Sequence, residues 1–417
     1  MIHPAQLNHI ETVLAQMLKF DRPADAVLST YFHHNPKLGA QDRHLIAETS
    51  FACLRRLSQI RALIEPDRIT VRRMALATLA RVRGLNLKEF GTCLKASEEE
   101  WLSTLKGRTL PEDLAIQAEL PQWIIDRLGD VTPEAVLALG RAMMQPAPLD
   151  LRVNTLKMKR DEALCRLDEA GIKAEATPYS PIGIRVQGKP ALNKLELFKS
   201  GAIEVQDEGS QLLGLLVGAR RGEMVADFCA GAGGKTLLLG AQMASTGRLY
   251  AFDVSEKRLA NLKPRLARSG LSNVHPQLIA SENDTRIKRL AGKIDRVLVD
   301  APCSGLGTLR RNPDLKFRQT PESVEALNQQ QLAILQSASR LVRNGGRLVY
   351  ATCSLLPQEN QQIVDAFLAM HPEFTQVPVG ELLQEQKIPL SMDMTLSIEP
   401  GRHNMDGFFA AVLAKSA

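Results

Sequence analysis

Apolar positions recur at three- and four-residue intervals through the first third of the chain. Leu7, Ile10, Val13, Leu14, Met17 and Leu18 outline one amphipathic helix, and Leu45, Ile46, Phe51, Leu54, Leu57 and Ile60 outline a second stretch of the same kind. Strand-like alternation is nearly absent up to about Gly140. A less regular segment, 107–112, precedes two further helical pieces at 123–128 and 133–139. The run Gln145-Pro146-Ala147-Pro148 then ends the helical region, because proline lacks the N–H and clashes with the preceding turn.

The period then changes. Leu151-Arg152-Val153-Asn154-Thr155 reads as a strand, Ala163, Leu164, Leu167 and Ala170 as a helix ending at Gly171, and Ile182-Gly183-Ile184-Arg185-Val186 as a second strand. Such a unit is too small to stand alone and packs on the C-terminal half of the chain, as either a substrate platform or a spacer. From Ile203 onward strands alternate with helices, which predicts a parallel, doubly wound α/β sheet. The predicted strands are 225–228, 248–252, 275–279, 296–299 and 347–351, with a last buried strand at 407–413. Leu259, Leu262 and Leu266 have helical spacing, but Pro264 among them predicts a kinked or shortened helix.

One stretch organises this second half. The apolar run Met224-Val225-Ala226 leads into Asp227-Phe228-Cys229-Ala230-Gly231-Ala232-Gly233-Gly234-Lys235-Thr236 and then into Leu237-Leu238-Leu239. A strand that turns into a helix through three glycines lets backbone N–H groups approach a ligand. A P-loop would need glycine where Cys229 stands, and the dinucleotide fingerprint would need it where Thr236 stands, so both fail by one residue. A nucleotide-type pocket and an ordinary glycine-rich turn remain as readings of this stretch alone.

At 417 residues, 44% apolar and 24% charged, the chain is that of a globular protein of two or three domains. No apolar run approaches a bilayer span and the N-terminus has no basic leader or apolar signal core, which predicts a cytoplasmic protein. The six cysteines lack C-x-x-C spacing and nearby histidines, so no metal is expected. A net charge of +6 suits a polyanionic partner, and eight arginines between Arg55 and Arg83 form either a basic face or a solvated helix surface.

In an open α/β sheet ligands sit beyond the carboxyl ends of the strands. Those positions carry the glycine turn, Asp253, Asp300-Ala301-Pro302-Cys303-Ser304-Gly305 and Thr352-Cys353-Ser354. Asp253, twenty residues beyond Gly233, suits ribose hydroxyls. A lone cysteine there is commonly a buried filler, but two at one rim point to chemistry. A thiolate can add to an electron-poor ring carbon such as carbon 6 of cytosine, activated by a contact at N3, which Asp300 supplies if it holds a proton in a dry pocket.

These motifs, together with Arg310-Arg311-Asn312-Pro313-Asp314-Leu315-Lys316 and Tyr350-Ala351-Thr352-Cys353-Ser354, resemble those of the Sun/Nop family of S-adenosylmethionine-dependent RNA cytosine-5 methyltransferases, RsmB-like in bacteria. The match covers the last half of the chain closely. The resemblance implies three domains: a helical NusB-like region at 1–145, a small RRM-like α/β RNA-binding subdomain at 146–203 that begins near Leu151-Arg152-Val153-Asn154, and a class I Rossmann-like methyltransferase domain at 204–417. It implies Cys353 as nucleophile, Cys303 as the group that assists release, and Asp300 as a contact of the cytosine and of the cofactor. Cys229, Ala230, Gly231, Ala232, Gly233, Gly234 and Lys235 would form the cofactor loop, with Ala232 where the family has proline, and Lys235 would neutralise the methionine carboxylate or touch the base. Asp253 would hold the ribose. Within Ser281-Glu282-Asn283-Asp284 the adenine contact is ambiguous, and Asp284 is favoured. The implied substrate is RNA of the 16S ribosomal kind, methylated by a monomer; a transfer-RNA cytosine or a non-catalytic RNA-binding assembly factor are the rival readings.

Overall fold

The computed structural model describes residues 1–65 and 67–417. They form two units, one of residues 1–146 with 308–321 and the other of residues 147–307 with 322–417.

The first unit is helical. Its helices include Pro4–Met17, Ala24–His34, Ala40–Arg55, Leu57–Ile64, Ala96–Gly107 and Pro133–Met143. The stripe Leu7, Ile10, Val13, Leu14 and Met17 is buried in the core, as its spacing predicts. The second stripe is shared by two helices, because Arg56 leaves the helical region at φ −125°, ψ 30°. Several arginines of the basic run act as internal ties. Arg72 pairs with Glu11 at 2.8 Å and Glu98 at 2.5 Å. Arg81 donates to the carbonyls of Leu105 and Lys106 at the C-terminal end of the Ala96–Gly107 helix, where a cation is favoured, and Arg73 lies over Trp101. The returning segment 308–321 is anchored by Lys316, which is buried and donates to Oε1 of Glu119 at 3.1 Å and to the carbonyls of Glu119 and Arg55. Burial holds the Lys316 amine below its ordinary pKa, against the pull of Glu119.

The second unit carries two sheets. The smaller contains β1 (Leu149–Val153), β2 (Ala174–Ala176), β3 (Gly183–Val186) and β4 (Ile203–Val205), all antiparallel in the order β2-β3-β1-β4. The helix Arg160–Glu169 buries Ala163 and Leu167 against it. Strands β2 and β4 were not legible in the sequence pattern: each is three residues long, too short to show a period.

The larger sheet holds β5 (Met224–Asp227), β6 (Arg248–Asp253), β7 (Val274–Leu278), β8 (Ile294–Asp300), β9 (Val342–Thr352), β10 (Phe374–Val377), β11 (Leu396–Ile398) and β12 (Phe408–Lys415). Its order is β10-β12-β9-β8-β5-β6-β7, with β11 also paired to β12. Strands β5 to β9 are parallel, and β10, β11 and β12 are antiparallel additions. The chain winds outward from β5 in one direction through β6 and β7, then returns to place β8 on its other side. The crevice between the carboxyl ends of β5 and β8 is therefore the topological switch point, where such sheets bind ligands.

Pro264 does not shorten its helix, contrary to the sequence expectation. The helix runs unbroken from Glu256 to Ser269 and stops at Gly270, which has φ +80°. Pro264 and Ala260, whose carbonyl loses its partner, both lie on the exposed face, so water can replace the missing bond while Leu259 and Leu262 stay buried.

Candidate active site

At the switch point, β5 ends in Asp227 and the chain turns through Gly231 at φ +57° and Gly233 at φ +84° before the helix Gly234–Gln242 begins. A side chain at Gly233 would lie 2.1 Å from Leu262, so only glycine allows the turn to lie against the Glu256–Ser269 helix. A Cβ at Gly231 would meet nothing within 4 Å, which leaves an open cradle on the ligand side of the loop. Arg265 fixes the loop from outside: its Nη1 donates to the Ala232 carbonyl at 2.7 Å while Glu204 of β4 holds the same guanidinium at 3.0 Å.

The carboxylates around this turn have distinct surroundings. Asp253 accepts from the N–H of Gly231 at 2.8 Å and of Ser255 at 2.7 Å, so it shapes the turn. Asp227 accepts from Thr236 Oγ1 at 2.7 Å, and its other oxygen is buried without a partner. Burial pushes its pKa up to about 7, although the Thr236 hydroxyl opposes the shift. Asp284 caps the short helix Thr285–Lys288, accepting from the N–H of Arg286 and of Ala280, and these bonds hold its pKa below the usual range. The partly buried Cys229 thiol packs against the hydrophobic cluster that contains Phe228 and Tyr250. Burial holds that thiol well above its ordinary pKa.

Asp300, at the end of β8, pairs with Lys235 Nζ at 2.7 Å. Burial works against the lysine charge, but Asp300 outweighs it and the Lys235 pKa is raised, with Cys353 contributing in the same direction. Asp300 therefore faces a cation. The pairing makes it a hydrogen-bond acceptor and Lys235 the donor, a reversal of the proton-holding Asp300 that the sequence suggested.

The two cysteines meet. Cys303 Sγ lies 3.3 Å from Cys353 Sγ, and the N–H of Cys353 points at the Cys303 sulfur at 3.4 Å. The hydrogen bond to Cys353, then burial, push the Cys303 thiol well above its ordinary range. Either sulfur can be the donor in this contact, and the raised pKa favours the protonated form of Cys303. Sequence reasoning missed the groups that hold this pair, Glu359 and Gln331, since a carboxylate in Pro357-Gln358-Glu359 and a glutamine within the helix Pro321–Ser339 carry no spacing signal.

An open glycine cradle, the carboxylate of Asp253 at the end of β6 and a buried unpartnered carboxylate oxygen under the turn fit S-adenosylmethionine, which offers hydroxyl and ammonium donors to such groups. Among the described residues no cluster of three or more His, Cys, Asp or Glu could hold a metal, and no helix is long and apolar enough to cross a membrane. Fold and site together define a class I S-adenosylmethionine-dependent methyltransferase.

Comparison with known proteins narrows the class. The sequence model described as 16S rRNA methyltransferase RsmB/F matches residues 215–414, and the RsmF/B-like ferredoxin-like domain matches 120–193. The chain is 35% identical over 308 residues to the probable ribosomal RNA small subunit methyltransferase B of Synechocystis, covering 73% of this chain and 68% of the relative. It is 32% identical over 310 residues to the counterpart from Bacillus subtilis, covering 72% and 68%. Among solved structures, PH0851 aligns over 100% of this chain and 99% of its own with a TM-score of 0.81 and 25% identity. A methyltransferase homolog from Pyrococcus horikoshii aligns over 73% and 98% with a TM-score of 0.62 and 27% identity. The chain belongs to the RsmB/F family of RNA methyltransferases, and S-adenosylmethionine is its cofactor.

Proposed function

We propose that the protein methylates carbon 5 of a cytosine in 16S-type ribosomal RNA through a covalent Cys353 adduct. The observation that carries this reading is the thiol pair at the carboxyl edge of the sheet, with Cys303 Sγ 3.3 Å from Cys353 Sγ. A thiol donor beside Cys353 stabilises its thiolate, the form that adds to carbon 6. Lys235 donates to the ring at N3 or the neighbouring oxygen and withdraws electron density from carbon 6, while Asp300 accepts from the exocyclic amine. When bound, S-adenosylmethionine supplies an electrophilic methyl group. The space left open at Gly231 would admit the cofactor close to the turn, and Asp253 would hold its ribose and Asp284 its adenine. A water positioned by Cys303 takes the carbon 5 proton, and the electron pair of that C–H bond restores the ring double bond and expels the Cys353 thiolate. The target atom is unreachable in a stacked helix, so the cytosine is flipped out or single-stranded.

The small sheet of β1 to β4 is the RNA-binding subdomain in this reading, the helical region adds further RNA contacts, and the working form is a cytoplasmic monomer that uses no metal. The family match and the relatives named for ribosomal RNA support the substrate. Bisulfite sequencing of total RNA from a deletion strain tests it: one cytosine of the small-subunit RNA should lose protection. Loss at a transfer-RNA cytosine, or at none, would overturn the assignment.

A further inference from the structure

The loops that carry the two cysteines come from different strands, and nothing covalent fixes their separation. Cys303 follows β8 and Cys353 follows β9. Between them lies Glu359, fully buried in the short turn Pro357–Glu359. Its Oε1 accepts from the N–H of Ser304 at 2.7 Å and from Gln331 Nε2 at 3.0 Å. Its Oε2 accepts from the Ser304 hydroxyl at 2.5 Å and from the Ser354 hydroxyl. Each serine directly follows one of the cysteines, so a single carboxylate binds both loops one residue beyond the sulfurs. Gln331 extends the tie to the Pro302 carbonyl at 2.9 Å, and Asn360 secures the other loop by donating to the Ser354 carbonyl at 3.1 Å.

We propose that Glu359 is a positioning residue that clamps the two cysteine loops and sets the Cys303–Cys353 separation. The chemistry explains the choice of residue. Four donors converge on one point, and an ionised carboxylate is the side chain that accepts from all of them, because it has four lone-pair sites and no proton. An amide has one accepting atom and would turn its own N–H₂ toward donors. A hydrophobic residue would take the acceptor from the Ser304 N–H and leave the two hydroxyls only each other, 3.2 Å apart. Glu359 never touches the base or the cofactor; it acts through the geometry of the thiols, and its catalytic importance rests on the reading given above for the cysteines.

The test separates geometry from activity. Phenylarsine oxide binds two adjacent thiols together, forming two As–S bonds and releasing water, so its affinity reports the thiol separation without any turnover. Glu359→Gln should weaken arsenical binding about tenfold or more and lower kcat about tenfold to a hundredfold, with S-adenosylmethionine affinity within about twofold of wild type. Wild-type arsenical affinity in this variant, or a loosened thiol pair with unchanged kcat, overturns the proposal. If Glu359→Gln does not fold by thermal melting, the double variant Ser304→Ala, Ser354→Ala removes two of the four donors and carries the same expectations and the same refutations. Should the RNA prove to be unmethylated by this protein, the arsenical result still decides whether the clamp exists, so the two failures are told apart.

Discussion

Asp253 offers the sharpest test of the cofactor site, because its carboxylate serves two neighbours at once. It accepts the Gly231 N–H at 2.8 Å and the Ser255 N–H at 2.7 Å while 4% exposed, and the ribose hydroxyls would share the same oxygens. In Asp253→Asn one oxygen remains and an N–H₂ group faces either Gly231 or Ser255, donor against donor. A hydrogen bond to an ionised acceptor contributes about 1.5–3 kcal/mol, and the ribose loses at least one of that kind. Each 1.4 kcal/mol is a factor of ten, so affinity for S-adenosylmethionine should fall about tenfold to a hundredfold. Calorimetric titration measures the affinity, and a melting curve without cofactor measures the loosening of the turn. A lowered melting temperature with unchanged affinity would show that Asp253 braces the loop and never meets the ribose.

The cysteines should behave unequally: Cys353→Ala should abolish both product and any covalent RNA species, while Cys303→Ala should still add and methylate but release slowly, leaving an RNA–protein adduct visible on denaturing gels. The reverse pattern would make Cys303 the nucleophile. Asp227, with its folded pKa raised to about 7 from 3.8, holds its proton more tightly folded than unfolded, so its contribution is complete at acidic pH and is lost as pH rises between about 4 and 7, on the order of 4 kcal/mol. Asp227→Asn should therefore raise the melting temperature at pH 8 and leave it nearly unchanged at pH 4; equal shifts at both would refute the linkage. Lys316→Ala leaves Glu119 buried without its cation and should cost about 3–5 kcal/mol in chemical denaturation, and a loss within error would mean that the backbone bonds from Ser58 and Gln59 suffice for Glu119.

What the sequence disclosed was whatever has a period or a dense local signature. Leu7 to Met17 and the strands leading to Asp227, Asp253 and Asp300 repeat over enough residues to be read, and the glycine turn is written in consecutive letters. Strands β10 and β11 escaped because they are edge pieces of four and three residues beside β12. Pro264 misled because the rule about proline in helices says nothing of which face it occupies. Of the site, the cysteines and carboxylates were visible as residue types at strand ends. The Lys235–Asp300 pair, the Arg265 strut and the four-donor site of Glu359 were not, since each depends on at least one contact between residues more than twenty-five positions apart.

The return of residues 308–321 to the first unit has a consequence for how the protein is born. That unit begins at Met1, yet the last piece of chain it needs is complete only at Pro321, which is 321 − 146 = 175 residues after Pro146. A nascent helical region emerging from the ribosome must wait with Glu119 lacking Lys316 and the Ala24 N–H lacking Asp314 until most of the second unit has also been made. The same threading governs dissection. A fragment starting near Pro148 would carry Lys316 and Phe317 without the surface that buries them, and the helical region expressed alone would present the matching gap. Exchange of either part between relatives would have to move the loop together with the helices, so the heritable module is discontinuous in the gene although the fold treats it as one.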